Sequence, residues 1–194
     1  MGEKNEPIAA GKSSYAIVDQ NAVFQNLGFV PETVFLDLAC GRGEYSLEAA
    51  KRIGPKGLVY AVDLWEAGIA ALNQAMEERG ITNIKSFVSD VGAKLPLADN
   101  TVDVCLMATV LHDLLEAGIA RQALTEVVRV LKPGGRLAVL EFKKIVGRPG
   151  PPISIRLTPE ETENHVAPYG FTPLKTVETG QYTYLTLFEF TGQP

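Results

Sequence analysis

Four short apolar runs in this 194-residue chain end on polar side chains: Asp37, Asp63, Asp90 and Thr109. Carboxylates in such places accept hydrogen bonds from hydroxyls and amines and attract cations. Directly after Asp37, in "VFLDLACGRGEYSLEAA", stand Gly41 and Gly43. Glycines in such a turn let a ligand approach the backbone, and a helix beginning just beyond offers free N–H groups to a negative group. An acid in the same turn repels a pyrophosphate, so Asp37 asks for a ligand that also carries a cation. His112 and Asp113 follow Thr109 closely and are the candidate catalytic pair. His112 could take a proton or orient an acceptor; its alternative is to cap or pack the helix that follows.

The elements that must position these residues alternate. "TVFLDLA", "GLVYAVD", "IKSFVSD", "VDVCLMAT" and "RLAVLEF" read as strands. "EYSLEAAKRI", "WEAGIAALNQAMEERG" and, as mostly helix, "LLEAGIARQALTEVVRVL" lie between or beside them, with Gly54-Pro55 and Gly80 as stops. "KPGG" reads as a turn before the fifth strand. Thr158 with Glu161 makes a capping box, with Pro159 at the first helical position. "FTPLKTVETGQYTYLTLFEF" predicts a hairpin turning at Thr179-Gly180-Gln181. Buried strands alternating with helices mean a parallel sheet covered by helices. Ligands then bind beyond the carboxyl ends of the strands, where the four polar residues gather.

Composition narrows the function classes. The chain is 46% hydrophobic and 21% charged, with a net charge of −5, a balance that argues against the basic face nucleic-acid binding requires. No apolar run of about 18 residues predicts a membrane span. The polar start predicts a flexible tail over residues 1–18 ahead of one domain over 19–194. The two cysteines, Cys40 and Cys105, form no CxxC pair, and with two histidines they predict no metal site and a reducing, cytoplasmic setting. Both read as packing thiols. The stretch from Lys143 to Arg156 carries Lys143, Lys144, Arg148 and Arg156 and no acid. It reads either as a lid drawing an anionic acceptor or as a solvated surface loop. Glu141 just before it either faces the acceptor or pairs with one of these cations.

S-adenosylmethionine (SAM) meets the demands of the glycine turn, since it brings an ammonium, a sulfonium and two ribose hydroxyls. A dinucleotide fits less well, because the third position of its G-x-G-x-x-G pattern is Ser46 here. Asp63 is placed to accept both ribose hydroxyls, and as an acid at an open crevice it is expected to support no packing. Asp90 suits an adenine amino group, Val91 one face of the ring, and Leu64 or Trp65 the other.

At these residues the chain resembles the class I SAM-dependent methyltransferases over roughly residues 30–190. "VFLDLACGRG", "VYAVDL", "FVSDV", "LPLADNTVDVCLMATVLHDL" and "VLKPGGRLAVLEF" match the family's successive motifs. Within it the resemblance is to the UbiE-like small-molecule branch. Ala39 stands where the first motif more often has glycine. The resemblance implies a single Rossmann-like α/β domain, doubly wound, with a mostly parallel seven-stranded sheet whose last strand is antiparallel. It implies SAM as cofactor, held by Asp37, Ala39, Gly41, Gly43, Asp63, Leu64, Asp90, Val91 and Thr109, and a small-molecule acceptor. A protein or nucleic-acid methyltransferase, and a SAM- or NAD-binding module without transfer, are the other readings. The asparagine-proline motif of base methyltransferases is absent from "ATVLHDL".

Overall fold

A computed structural model describes residues 10–147 and 149–192. Seven strands, β1 (Val34–Leu38), β2 (Leu58–Asp63), β3 (Ile84–Val88), β4 (Val102–Ala108), β5 (Leu131–Phe142), β6 (Phe171–Glu178) and β7 (Thr183–Phe190), form one sheet. Their order is β3-β2-β1-β4-β5-β7-β6. The pairs from β3 through β5 are parallel, and β7 runs antiparallel to both β5 and β6. The expected hairpin is this β6–β7 pair, and it makes the last strand the single reversed one.

Helices cover both faces, as two-sided burial of the strands requires. α1 (Gln20–Leu27), α2 (Glu44–Ile53) and α3 (Glu66–Arg79) pack on one side, around Phe35, Val59, Leu106 and Leu140. α5 (Ala120–Val130) and α6 (Pro159–Val166) cover the other with α4 (Leu111–Glu116), around Leu36, Leu38, Met107 and Val139. The α6 capping box forms as its sequence predicts, with Thr158 and Glu161 capping each other.

Three local readings change. The stretch expected to be mostly helical after β4 is two helices, because Gly118 turns at φ 70° between them. "KPGG" does not separate helix from strand; it is carried within β5, whose register against β4 shifts between Val102 and Val104. α1 lies ahead of every element foreseen, although Asp19 caps it by accepting from the Ala22 N–H and Gly28 ends it in a left-handed turn. Residues 1–9 of the expected tail lie outside the described residues. Residues 10–18 meet the body of the fold: Ser14 is buried, and its hydroxyl lies 2.9 Å from that of Tyr45 and 3.3 Å from that of Thr109.

The order of strands reverses between β1 and β4, so their carboxyl ends flank the crevice where such sheets take ligands. No helix among the described residues is long and apolar enough to cross a membrane.

Candidate active site

The crevice begins at the end of β1. Asp37 is buried, and its Oδ2 accepts from the Ser46 hydroxyl at 2.6 Å. Among the described residues its Oδ1 has no hydrogen-bond partner. Burial pushes the carboxyl's pKa up to about 7, against the opposing Ser46 hydrogen bond, with the charge of Asp63 adding to the rise. A buried acceptor left open is costly unless something supplies a donor. Ser46, which breaks the dinucleotide pattern in the sequence, is thus Asp37's anchor on α2.

Beyond Asp37 the backbone turns through left-handed conformations at Ala39 (φ 61°), Gly41 (φ 57°) and Gly43 (φ 74°). For alanine this costs about 1–2 kcal/mol. Thr109 at the end of β4 is also left-handed, at φ 54°, so two non-glycine residues hold strained backbone on opposite sides of one crevice. Strain of this kind gathers where a site needs a fixed shape.

The two glycines differ in what surrounds them. A Cβ at Gly41 meets nothing within 4 Å, whereas one at Gly43 comes within 2.6 Å of the Leu72 side chain. A branched side chain is therefore tolerated by the surrounding fold at Gly41 but not at Gly43. Gly43→Val is predicted to lower the melting temperature sharply. Gly41→Val should cost only its backbone strain and remove ligand affinity. Thermal melts beside calorimetric titration check this; equal melting losses would contradict it.

Asp63, at the end of β2, is not a free acid. The Gly41 N–H donates to its Oδ2 and the Trp65 N–H to its Oδ1, both at 2.7 Å. It therefore ties the glycine turn to the start of α3, contrary to the expectation that it supports no packing. Each oxygen keeps a further lone pair for a hydroxyl. Leu64 beside it is 52% exposed and presents an apolar face. Trp65 is half-buried, with the Arg42 guanidinium 5.4 Å from its ring centre. Asp90 is exposed, with Oδ1 accepting from the Gly92 N–H, and Val91 is buried beside it. The fold thus gathers Asp37, Ala39, Gly41, Gly43, Asp63, Leu64, Asp90, Val91 and Thr109 at the carboxyl ends of β1 to β4.

The other wall carries His112. Its ring is 4% exposed, with Nδ1 2.7 Å from Oε2 of the fully buried Glu141, and its backbone N–H donates to Glu141 Oε1. Nε2 stands 3.5 Å from Asp113 Oδ1. Burial by itself pulls the imidazole's pKa down. The Glu141 hydrogen bond and charge, with Asp113, outweigh it and hold the pKa above its ordinary value.

The basic loop is organised around one of its own cations. Arg156 is buried, and its guanidinium donates to the backbone carbonyls of Lys143, Ile145, Gly147, Pro149 and Pro151. Lys143 pairs with Glu178 and Lys144 with Glu161. Arg148 lies outside the described residues. Three of the four cations are thus engaged, and among the described residues Glu141 pairs with His112 rather than with a cation of the loop.

Comparison with known proteins agrees with this geometry. Residues 35–135 match the model of a methyltransferase domain family, and that span carries β1 through the start of β5. A SAM-dependent methyltransferase structure from Aquifex aeolicus is 30% identical, with a TM-score of 0.83 over 92% of this chain and 93% of that one. The chain belongs to the SAM-dependent methyltransferase family. Among curated relatives, the ubiquinone/menaquinone biosynthesis C-methyltransferase UbiE of Idiomarina loihiensis is 35% identical over 57% of this chain. That of Hydrogenovibrio crunogenus is 36% identical over 61%. The chain spans 43% and 45% of those two relatives' lengths. The [4+2]-cyclase SpnF shares the fold, with a TM-score of 0.72 at 19% identity.

The residues present fit SAM. Asp37 Oδ1 is an unpartnered buried acceptor, and Gly41 leaves open space at the turn.

Proposed function

We propose that this protein transfers a methyl group from SAM to a small-molecule acceptor. The observation that carries the reading is the unpartnered, buried Asp37 Oδ1 beside a strained glycine turn, with Asp63 and Asp90 on the neighbouring strands. Asp37 would meet the cationic methionine end, Asp63 the ribose hydroxyls, Asp90 the adenine amine, and Leu64 and Val91 the ring. When bound, SAM supplies an already activated methyl group on its sulfonium. The chain's remaining task is to orient an acceptor and keep water out. His112, four residues past the end of β4, would hold the acceptor side and take its proton where it enters protonated.

The UbiE relatives are named as C-methyltransferases of quinone biosynthesis, which supports a ring-carbon acceptor of hydroquinone type for this chain also. A cytoplasmic setting belongs to the same proposal and is supported by two buried, unbridged cysteines. The cyclase neighbour illustrates why activity needs its own test, since fold alone does not fix chemistry. The protein should move label from methyl-labelled SAM into a small-molecule cell extract, and mass analysis of the labelled product identifies the acceptor. Binding of SAM without label transfer would favour a module over an enzyme. Preference for NAD would overturn the reading.

The state of Asp37 gives the cofactor reading a pH signature. With its pKa raised to about 7, the free carboxyl is half protonated near neutrality. A bound ammonium favours the ionised form, so a proton must leave on binding below that pH. SAM affinity is predicted to fall by up to about tenfold per unit as pH drops below 7. Titration calorimetry in buffers of different ionisation enthalpy should show proton release. Asp37→Asn should weaken binding and flatten this dependence; an unchanged slope in that variant would assign the proton elsewhere.

A further inference from the structure

We infer that Glu141 is a positioning residue for the acceptor side: it fixes the proton of His112 on Nδ1, leaving Nε2, on the Asp113 side, as the atom that takes the acceptor's proton. The inference rests on the methyl-transfer reading and assigns a part to a residue that binds neither SAM nor acceptor.

Glu141 is fully buried in β5, one residue before that strand ends. A buried carboxylate needs a strong partner, and both of its oxygens are given to His112. Oε1 accepts from the backbone N–H, and Oε2 faces Nδ1 at 2.7 Å. The first bond anchors the start of α4 and the second orients the ring. With Glu141 ionised, the short contact requires hydrogen on Nδ1. Neutral His112 is then left with its lone pair on Nε2. That atom looks toward Asp113, whose side chain is 29% exposed and reaches solvent. Carboxylate, imidazole and carboxylate thus form a row leading from the core outward.

The charged groups around His112 come from three elements. Glu141 faces it from β5, Asp113 from its own helix, and Arg156 from the segment before α6. Arg156 opposes the two acids, and its donors are all engaged by loop carbonyls. Tyr184 on β7 senses Glu141 but hydrogen-bonds to Thr162 and to the Leu157 carbonyl instead.

In the transfer step the acceptor atom bonds to the methyl carbon while the carbon–sulfur bond breaks, and sulfur keeps the electron pair. The acceptor's proton passes to Nε2, giving an imidazolium flanked by Glu141 and Asp113. Asp113 Oδ1 then accepts that proton from Nε2 and releases it to water, which restores neutral His112. No oxidant or further reactant is required.

The test compares wild type with Glu141→Gln and Glu141→Asp. Nitrogen-resolved NMR of the two histidines reads the His112 tautomer and titration, with His165 on α6 as the internal control. Label transfer from SAM into the small-molecule extract is followed against pH. Glu141→Gln should move the His112 titration to lower pH and lose the preference for hydrogen on Nδ1. The rising limb of the pH–rate profile should shift the same way. The maximal rate should fall about ten- to a hundredfold, within the range expected for a positioned proton acceptor, with SAM affinity unchanged. Glu141→Asp keeps the charge and should recover part of the rate. An unmoved pH profile in Glu141→Gln, beside normal SAM binding and wild-type transfer, would overturn the inference and spare the methyltransferase reading. No transfer by the wild type would overturn both.

Discussion

Asp63→Ala is expected to weaken SAM binding by roughly ten- to a thousandfold, since each hydrogen bond to a charged acceptor contributes about 1.5–3 kcal/mol and 1.4 kcal/mol is a factor of ten. It should also destabilise the free protein by about 2 kcal/mol, because the N–H groups of Gly41 and Trp65 both lose their acceptor. The two effects share a cause. The carboxylate that would face the ribose also pins the left-handed turn in which Gly41 sits. Asp63→Asn should behave almost as badly for stability, since its amide NH2 must face one of two backbone donors. Calorimetric titration with SAM and S-adenosylhomocysteine, beside ligand-free melts, separates the contributions. Equal affinity losses for both ligands support a ribose contact, because both carry the same ribose. A loss confined to SAM would place Asp63 near the sulfonium, and wild-type affinity in Asp63→Ala would sink the assignment.

The strand ends were legible because the parallel sheet forces them together. An apolar run that stops on an acid places that acid at the sheet's carboxyl edge, whatever the loops do. Asp37, Asp63, Asp90 and Thr109 could thus be grouped before any coordinates. What escaped was the use each side chain makes of its second face. Asp63 was read as a solvent-facing acceptor because sequence gives no sign that the Gly41 and Trp65 N–H groups curl back to it. Ser46 was read only as a missing glycine, although its place in the first turn of α2, as i+9 from Asp37, sets its hydroxyl on that carboxylate. The Glu141–His112 pair joins residues 29 positions apart, on a strand and a helix whose relative rotation no periodicity fixes. α1 escaped because the strand-and-motif pattern starts only at Thr33, although its Asp19 and Gly28 caps are ordinary sequence signals.

In the loop after β5, four cations without an acid leave a lid and a surface loop equally open in the sequence, and what composition does not reveal is that Arg156 is spent on carbonyls. All its N–H groups are directed at five backbone oxygens between Lys143 and Pro151, so the loop is wound about a guanidinium. Arg156→Ala should leave those oxygens without their donor. A carbonyl stranded away from solvent costs about 1–3 kcal/mol, but the loop's outer face is exposed and water recovers part, for a net loss of about 2–4 kcal/mol. For a chain of this size that is a fall in melting temperature of roughly 5–15 °C. Arg156→Lys should fare little better, because three donors on a point ammonium cannot span five carbonyls. The loop should become the first site cut in limited proteolysis of either variant. One further readout distinguishes a local from a general loosening. Arg156 lowers the affinity of His112 for its proton, so its removal should move the His112 titration to higher pH, opposite in sign to Glu141→Gln. A melt unchanged from wild type, or a His112 titration that falls in Arg156→Ala, would show that the guanidinium does not organise this wall of the site.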